Sequence, residues 1–266
     1  MTIDRFVDPQ TDEDETEGFL ASRTALVTGG ARRIGRRLVL ALAAEGAHVV
    51  VHHHTAEAEA RQLVKDIRTA GGSADRIGGD LADPEVAAAL PVLAAQECGN
   101  PLDILINNAA VFVQCDFLAT DVAQWDQMQA VNLRAPFLLA QGFAQQLPEK
   151  WSGDIINLND ARALYGDPEH FAYAMSKDGL HGLTKNLAQV LAPRIAVNEL
   201  SLGAVWAPEG TGDYLKTKKA DLPTGRFPTV DEVIAGMMFL LGTPGVTGQN
   251  IYLDGGLHHR HDPAGR

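Results

Sequence analysis

The chain has 266 residues, 45% hydrophobic and 21% charged, an ordinary globular composition with length for one large core or two small ones. A formal net charge of -12 and a sequence pI near 5.1 exclude a nucleic-acid or anionic-membrane surface as the main partner, though not one small basic pocket. Cys98 and Cys115 lack any metal-ligand or CxxC spacing and read as free thiols of a reducing compartment.

Residues 1–20 contain Asp12-Glu13-Asp14-Glu15 and little to bury, so a flexible acidic leader is expected there. The leader lacks the basic start of a signal peptide, and the apolar run at 21–27 is too short to cross a bilayer. A soluble, cytoplasmic protein follows as the expectation, with residues 21–266 forming one domain. Strands are expected at Thr24-Ala25-Leu26-Val27-Thr28, Ala47-His48-Val49-Val50-Val51 and, more weakly, 74–79. Helical patterns cover 34–45 and 58–67 between them. Further strands are expected at Leu102-Asp103-Ile104-Leu105-Ile106, Asp154-Ile155-Ile156-Asn157-Leu158, Arg194-Ile195-Ala196-Val197-Asn198 and Asn250-Ile251-Tyr252-Leu253. Strands apolar on both faces and separated by helices predict a seven-stranded, mostly parallel sheet with helices on both faces. This is a doubly wound, Rossmann-type α/β fold whose ligands lie at the carboxyl ends of the strands. Residues 203–229, with several Pro and Gly, read as a substrate lid or, alternatively, a plain surface loop.

Between the first strand and first helix stands Thr28-Gly29-Gly30-Ala31-Arg32-Arg33-Ile34-Gly35. Gly29 suits a tight turn, Gly35 a close approach at the helix start, and the first helical amides a pyrophosphate. After the second strand comes His52-His53-His54-Thr55-Ala56, with no acid to grip an adenosine ribose. With Arg32 and Arg33 nearby, that absence favours NADPH/NADP+ over the unphosphorylated cofactor. His52, His54 and Thr55 are candidate cofactor contacts; successive strand residues face opposite ways, so the histidines do not read as a metal site. Asp80-Leu81 is placed for the adenine, and Asn107-Asn108-Ala109-Ala110 for a wall beside the cofactor; turn capping is the alternative for both.

Tyr173 and Lys177 are four apart in a helical stretch and share a face. A tyrosine that donates a proton near neutral pH needs its phenolate stabilised, and a neighbouring ammonium is expected to do so.

Together with Asn132 and Asp254-Gly255-Gly256, these motifs resemble the short-chain dehydrogenase/reductase family across residues 21–256. The resemblance implies that Tyr173 is the catalytic acid and that Lys177 holds the nicotinamide ribose and tunes the tyrosine. It also implies that Asn132 supports a water-linked proton relay. The family usually places a serine shortly before the tyrosine; here the stretch reads Asn157-Leu158-Asn159-Asp160-Ala161. Asp160 is similar to the catalytic-region aspartate of pteridine reductases. Arg33 resembles the arginine that in that branch reaches cofactor phosphates and substrate. Phe112 resembles the phenylalanine that sandwiches a flat pterin. A phenyl face stacks on a planar heterocycle, and a carboxylate bonds its amino and ring N–H groups. The alternatives are a core or lid Phe112, an Asp160 that caps a loop or pairs with Arg162, and an Arg33 that serves cofactor phosphate alone.

The chain departs from that branch at Ala110, at Thr55-Ala56 where an Arg-Ser pair can hold the 2′-phosphate, and at Leu202-Gly203 in place of Pro-Gly. Trp206 is a candidate pocket wall or subunit contact. The expected function is NADPH-dependent reduction of a dihydropterin or related pteridine C=N bond, on a small planar heterocyclic substrate. Reduction of a 3-oxoacyl compound or small ketone is the alternative, and a catalytically weak NADP(H)-binding protein is the alternative of another class. The resemblance further implies a homotetramer joined through the helices that bear Asn132 and Tyr173.

Overall fold

The computed structural model describes residues 18–205 and 222–259; Trp206, most of the acidic leader and much of the expected lid lie outside these residues. Seven strands form one sheet: β1 (Thr24–Val27), β2 (His48–His53), β3 (Ser73–Gly78), β4 (Ile104–Asn107), β5 (Gly153–Asp160), β6 (Ile195–Leu202) and β7 (Asn250–Leu253). Their order is β3-β2-β1-β4-β5-β6-β7, and every pairing is parallel, which sharpens the mostly parallel expectation.

Helices α1 (Arg33–Ala44), α2 (Glu57–Thr69), α3 (Pro84–Cys98), α4 (Val122–Gln129), α5 (Ala135–Gln146), α6 (Phe171–Leu191) and α7 (Val230–Leu241) cover the sheet. The alternation of side chains along each strand divides the core in two. Ala25, Val27, Val49, Val51, Ile104 and Ile106 pack beneath α1, α2 and α7, while Leu26, Val50, Leu105, Ile155 and Val197 pack beneath α3, α5 and α6. Both faces being covered is what permits an all-parallel sheet.

Three strands run past the apolar segments that mark them in the sequence: β2 to His53, β5 to Asp160 and β6 to Leu202. The added residues include His52, Asn159, Glu199 and Ser201, polar yet buried because each finds a hydrogen-bond partner. No helix among the described residues is long and apolar enough to cross a membrane.

Candidate active site

The strand order reverses between β1 and β4, so the segments leaving these strands diverge and open a crevice at their carboxyl ends. Gly29, in the turn after β1, takes the left-handed conformation at φ 60°. Gly35, in the first turn of α1, lies so close beneath it that a Cβ would stand 2.4 Å from the Gly29 carbonyl oxygen. The side chain of Asn108 braces the same turn, its Nδ2 donating to the carbonyls of Thr28 (2.8 Å) and Gly29 (3.2 Å). Thr28 Oγ1 accepts from the amides of Asn108 and Ala109, which fixes the β4 end against the β1 end. No side chain caps α1, whereas α3, α4 and α7 are capped by Asp83, Asp121 and Thr229. The result is a backbone cradle whose uncapped amides can receive an anion and which is closed to any Cβ at position 35.

His52 lies behind this cradle, 2 % exposed. Its Nδ1 accepts from the Gly29 amide and its Nε2 donates to the Gly79 carbonyl, both at 3.1 Å. With both ring nitrogens used, His52 shapes the glycine turn from within. Burial brings it down to about 4 from the usual 6.5, because the charged ring has no water around it. The folded state therefore resists a proton that the unfolded chain accepts, so this contribution is full above pH 6.5 and disappears as pH falls toward 4. Between pH 7 and pH 4.5 wild-type protein is expected to lose about 2 to 3 kcal/mol more than His52→Gln, measured by urea unfolding at both pH values.

His54 and Thr55 are exposed at the end of β2, and His54 Nε2 lies 4.0 Å from Asp80 Oδ2. Asp80 also caps its own turn through the Ala82 amide at 2.9 Å, Leu81 is buried in the core, and Ile34 is half-buried against the core beneath α1. The two arginines of the glycine turn separate. Arg32 is tied to Glu59 of α2, Nε to Oε1 at 2.9 Å. Arg33 is exposed, sits at φ 49°, and its guanidinium has no hydrogen bond or ion pair among the described residues. A left-handed backbone at an arginine accounts for glycine being the easier choice there.

Helix α6 brings Tyr173 and Lys177 to the end of β5. Tyr173 (7 % exposed) donates its hydroxyl proton to Asp160 Oδ2 at 3.1 Å, and Lys177 (4 % exposed) donates Nζ to the Leu158 carbonyl at 2.8 Å. Asp160 is itself fixed: Oδ1 accepts from the Arg162 amide at 2.9 Å, and its own amide donates to Asn159 Oδ1 at 2.9 Å. It thus both caps the turn and faces the tyrosine, while the Arg162 side chain pairs with Asp167 instead. The direction expected for Tyr173 is reversed. Burial, then the Asp160 carboxylate, push the phenol well above the usual tyrosine range. Lys177 points one N–H at a carbonyl, with Nζ 5.9 Å from the ring centroid, and burial pulls it down to about 8. Tyr173 is thereby held as a phenol, a donor at any physiological pH.

Asn132 sits in a π-helical turn (Ala130–Arg134) between α4 and α5. Its Nδ2 donates to the Val111 carbonyl (2.9 Å) and to Ser176 Oγ (3.0 Å), and its Oδ1 accepts from the Val111 amide at 2.8 Å. It therefore ties α6 to the strip that carries Phe112. That phenylalanine is 50 % exposed and stands edge-on to Tyr173, ring centroids 4.7 Å apart. Behind it lies a residue the sequence reading missed: His170, stacked on Phe112 at 4.5 Å and held by Asp167 through Nδ1 at 3.1 Å. The only sequence signal was its place three residues before Tyr173. Asp160, Tyr173, Phe112 and His170 thus form one cluster linked by contacts.

Comparison with known proteins follows the same lines. A family model described as short chain dehydrogenase matches residues 23–214. The crystal structure of FolM alternative dihydrofolate reductase 1 from Brucella canis, complexed with NADP, superposes with a TM-score of 0.87 at 34% identity. That match covers 94% of this chain and 99% of the other. The corresponding Brucella suis protein, also in complex with NADP, gives 0.86 at 35% identity, covering 91% and 98%. A 3-oxoacyl-[acyl-carrier-protein] reductase, FabG, of Staphylococcus aureus is 31% identical over 89% of this chain and 98% of its own length.

Proposed function

The chain belongs to the short-chain dehydrogenase/reductase family, and from that premise we propose that it reduces a C=N bond of a flat pteridine, a dihydropterin or dihydrofolate-like ring. It is an NADP(H)-dependent oxidoreductase. The cradle fits that cofactor, since the space a Cβ at Gly35 would fill is left clear and the α1 amides are uncapped. Gly29, Arg32, Arg33, Ile34 and Gly35 would hold its phosphates, His54, Thr55 and Asp80 its adenosine end, and Asn108, Ala109, Tyr173 and Lys177 its nicotinamide end. When bound, NADPH supplies the hydride.

The carrying observation is the Asp160 carboxylate on the Tyr173 hydroxyl, where the family usually has a serine. A carboxylate held by the Arg162 amide, on a backbone that the Asn159 side chain fixes, is a rigid acceptor for the amino and N–H groups of a pteridine edge. Phe112, backed by His170, offers a phenyl plane for the ring, and Arg33 a free guanidinium. Tyr173 delivers the proton to the ring nitrogen as the adjacent carbon is reduced, so that C=N becomes CH–NH. Asn132 holds Phe112's strip in register with the tyrosine.

The likeness to a 3-oxoacyl reductase favours a second reading, in which Asp160 stands in for the serine and the substrate is a ketone. Oxidation of NADPH with dihydrobiopterin and with matched ketones separates the two. The expected result is pterin turnover that falls about 100-fold or more in Asp160→Asn, with NADPH affinity held within about threefold. Turnover of ketones alone would overturn the pteridine reading and make Asp160 the serine's replacement.

A further inference from the structure

The inner part of a polar layer beneath α6, made by His181, Thr184 and Glu199, has no role in the reaction just proposed. Tyr173, Lys177 and His181 follow one another at four-residue intervals along one helix face, with Thr184 on the next turn. Opposite them, β5 and β6 present Asn157, Asn159, Glu199 and Ser201, registered Asn157↔Glu199 and Asn159↔Ser201. Glu199 is 0 % exposed. Its Oε1 accepts from Ser201 Oγ at 2.9 Å and lies 3.1 Å from His181 Nδ1; its Oε2 accepts from Thr184 Oγ1 at 3.0 Å.

A carboxylate this deep is costly unless a cation shares its surroundings. Among the described residues no lysine or arginine lies within salt-bridge distance of Glu199. His181 is a cation there only when protonated, and the lysine or arginine that shares this face and feels the Glu199 charge is Lys177. Its ammonium is anchored to the Leu158 carbonyl, and Leu158 adjoins Asn157, the cross-strand neighbour of Glu199. One residue along a strand and one strand across is about 6 Å between backbone positions.

We propose that Glu199 is a positioning residue for Lys177, a fixed counter-charge behind the lysine that keeps its ammonium ionised inside the fold. The titratable groups facing Lys177 are Tyr173 and His181 on its own helix, Asp160 from β5 and Glu199 from β6. The two carboxylates oppose the fall that burial imposes on the lysine. Asp160 stands at the mouth, where its charge is shared with Tyr173 and with any substrate. Glu199 is sealed at the rear, so its charge on Lys177 is the same whether the site is empty or filled. This rests on Lys177 belonging to the reaction centre, and not on which ring is reduced.

The test is an NMR titration of protein labelled at the lysine Cε and Nζ, the Lys177 signal being assigned by its loss in Lys177→Met. Removing the negative charge disfavours the ammonium. Glu199→Gln is therefore expected to lower the Lys177 midpoint by about one pH unit. Glu199→Asp is expected to recover at least half of that. An unchanged midpoint in folded Glu199→Gln overturns the proposal, because a merely structural carboxylate would cost stability and leave the midpoint in place. Should that variant not fold, the carboxyl carbon of Glu199 in wild-type protein decides. Ionised at pH about 7.5 it supports the counter-charge, and protonated it overturns it. A shifted midpoint without turnover of any pteridine would sink the substrate reading alone; pteridine turnover with an unmoved midpoint would sink this proposal alone.

Discussion

Tyr173→Phe is expected to lower kcat by about 10³-fold while leaving NADPH affinity within about threefold of wild type. The phenyl ring keeps the edge-on contact with Phe112, so the cluster's shape is retained and the hydroxyl alone is lost. That hydroxyl is the donor aimed at Asp160, and burial beside a carboxylate holds its proton on. Single-turnover rates with NADPH and dihydrobiopterin, beside cofactor titration by fluorescence, measure both quantities. A loss of only about tenfold would move the proton donor to Asp160, since a positioned acid accounts for about 10²- to 10⁴-fold.

Gly35→Ala tests the cradle. The new Cβ would stand 2.4 Å from the Gly29 carbonyl oxygen, 2.6 Å from Asn108 Nδ2 and 3.0 Å from the Gly30 Cα. Two of these three are backbone atoms of the turn itself, and the third is the side chain that braces it, so no flexible group is free to yield. The expected cost is about 2 to 4 kcal/mol of stability, with NADPH affinity reduced about 100-fold or more as the turn opens. Gly182→Ala in α6 is the control, for a Cβ there meets nothing within 4 Å and its backbone is helical. That change is expected to stabilise by about 0.5 to 1 kcal/mol and to leave cofactor binding alone. Chemical denaturation and fluorescence titration of both variants give the comparison; equal cofactor affinity in the two would mean the pyrophosphate is not held at Gly35.

The sheet was legible because its strands are apolar on both faces, a pattern that only two-sided burial requires. The glycine turn was legible for a related reason, since glycine marks where backbone must approach backbone. What escaped is polar. His52, Glu199 and Ser201 lie in strands yet read as loop residues, because the partners that satisfy them come from the glycine turn, from α6 and, for Ser201, from Glu199 on its own strand. The π turn around Asn132 leaves no trace in a helical periodicity that assumes 3.6 residues per turn. His170 was invisible because what gives it meaning, the ring of Phe112, arrives from the segment between β4 and α4, distant in the chain. The sign of the Tyr173 effect failed because four-residue spacing says that Lys177 is near, and not that the ring is buried beside the Asp160 carboxylate.

Arg33 draws two kinds of selection apart. Its φ of 49° costs an L-residue about 1 kcal/mol that glycine would not incur. Glycine there would relax the backbone and remove the one unpaired guanidinium of the glycine turn. A search that ranked substitutions by thermal endurance alone would accept that exchange and, on the proposed assignment, return a sturdier enzyme with a weaker grip on its ligands. Sites where durability and grip disagree in this way are where a family's members part in substrate while keeping a common frame.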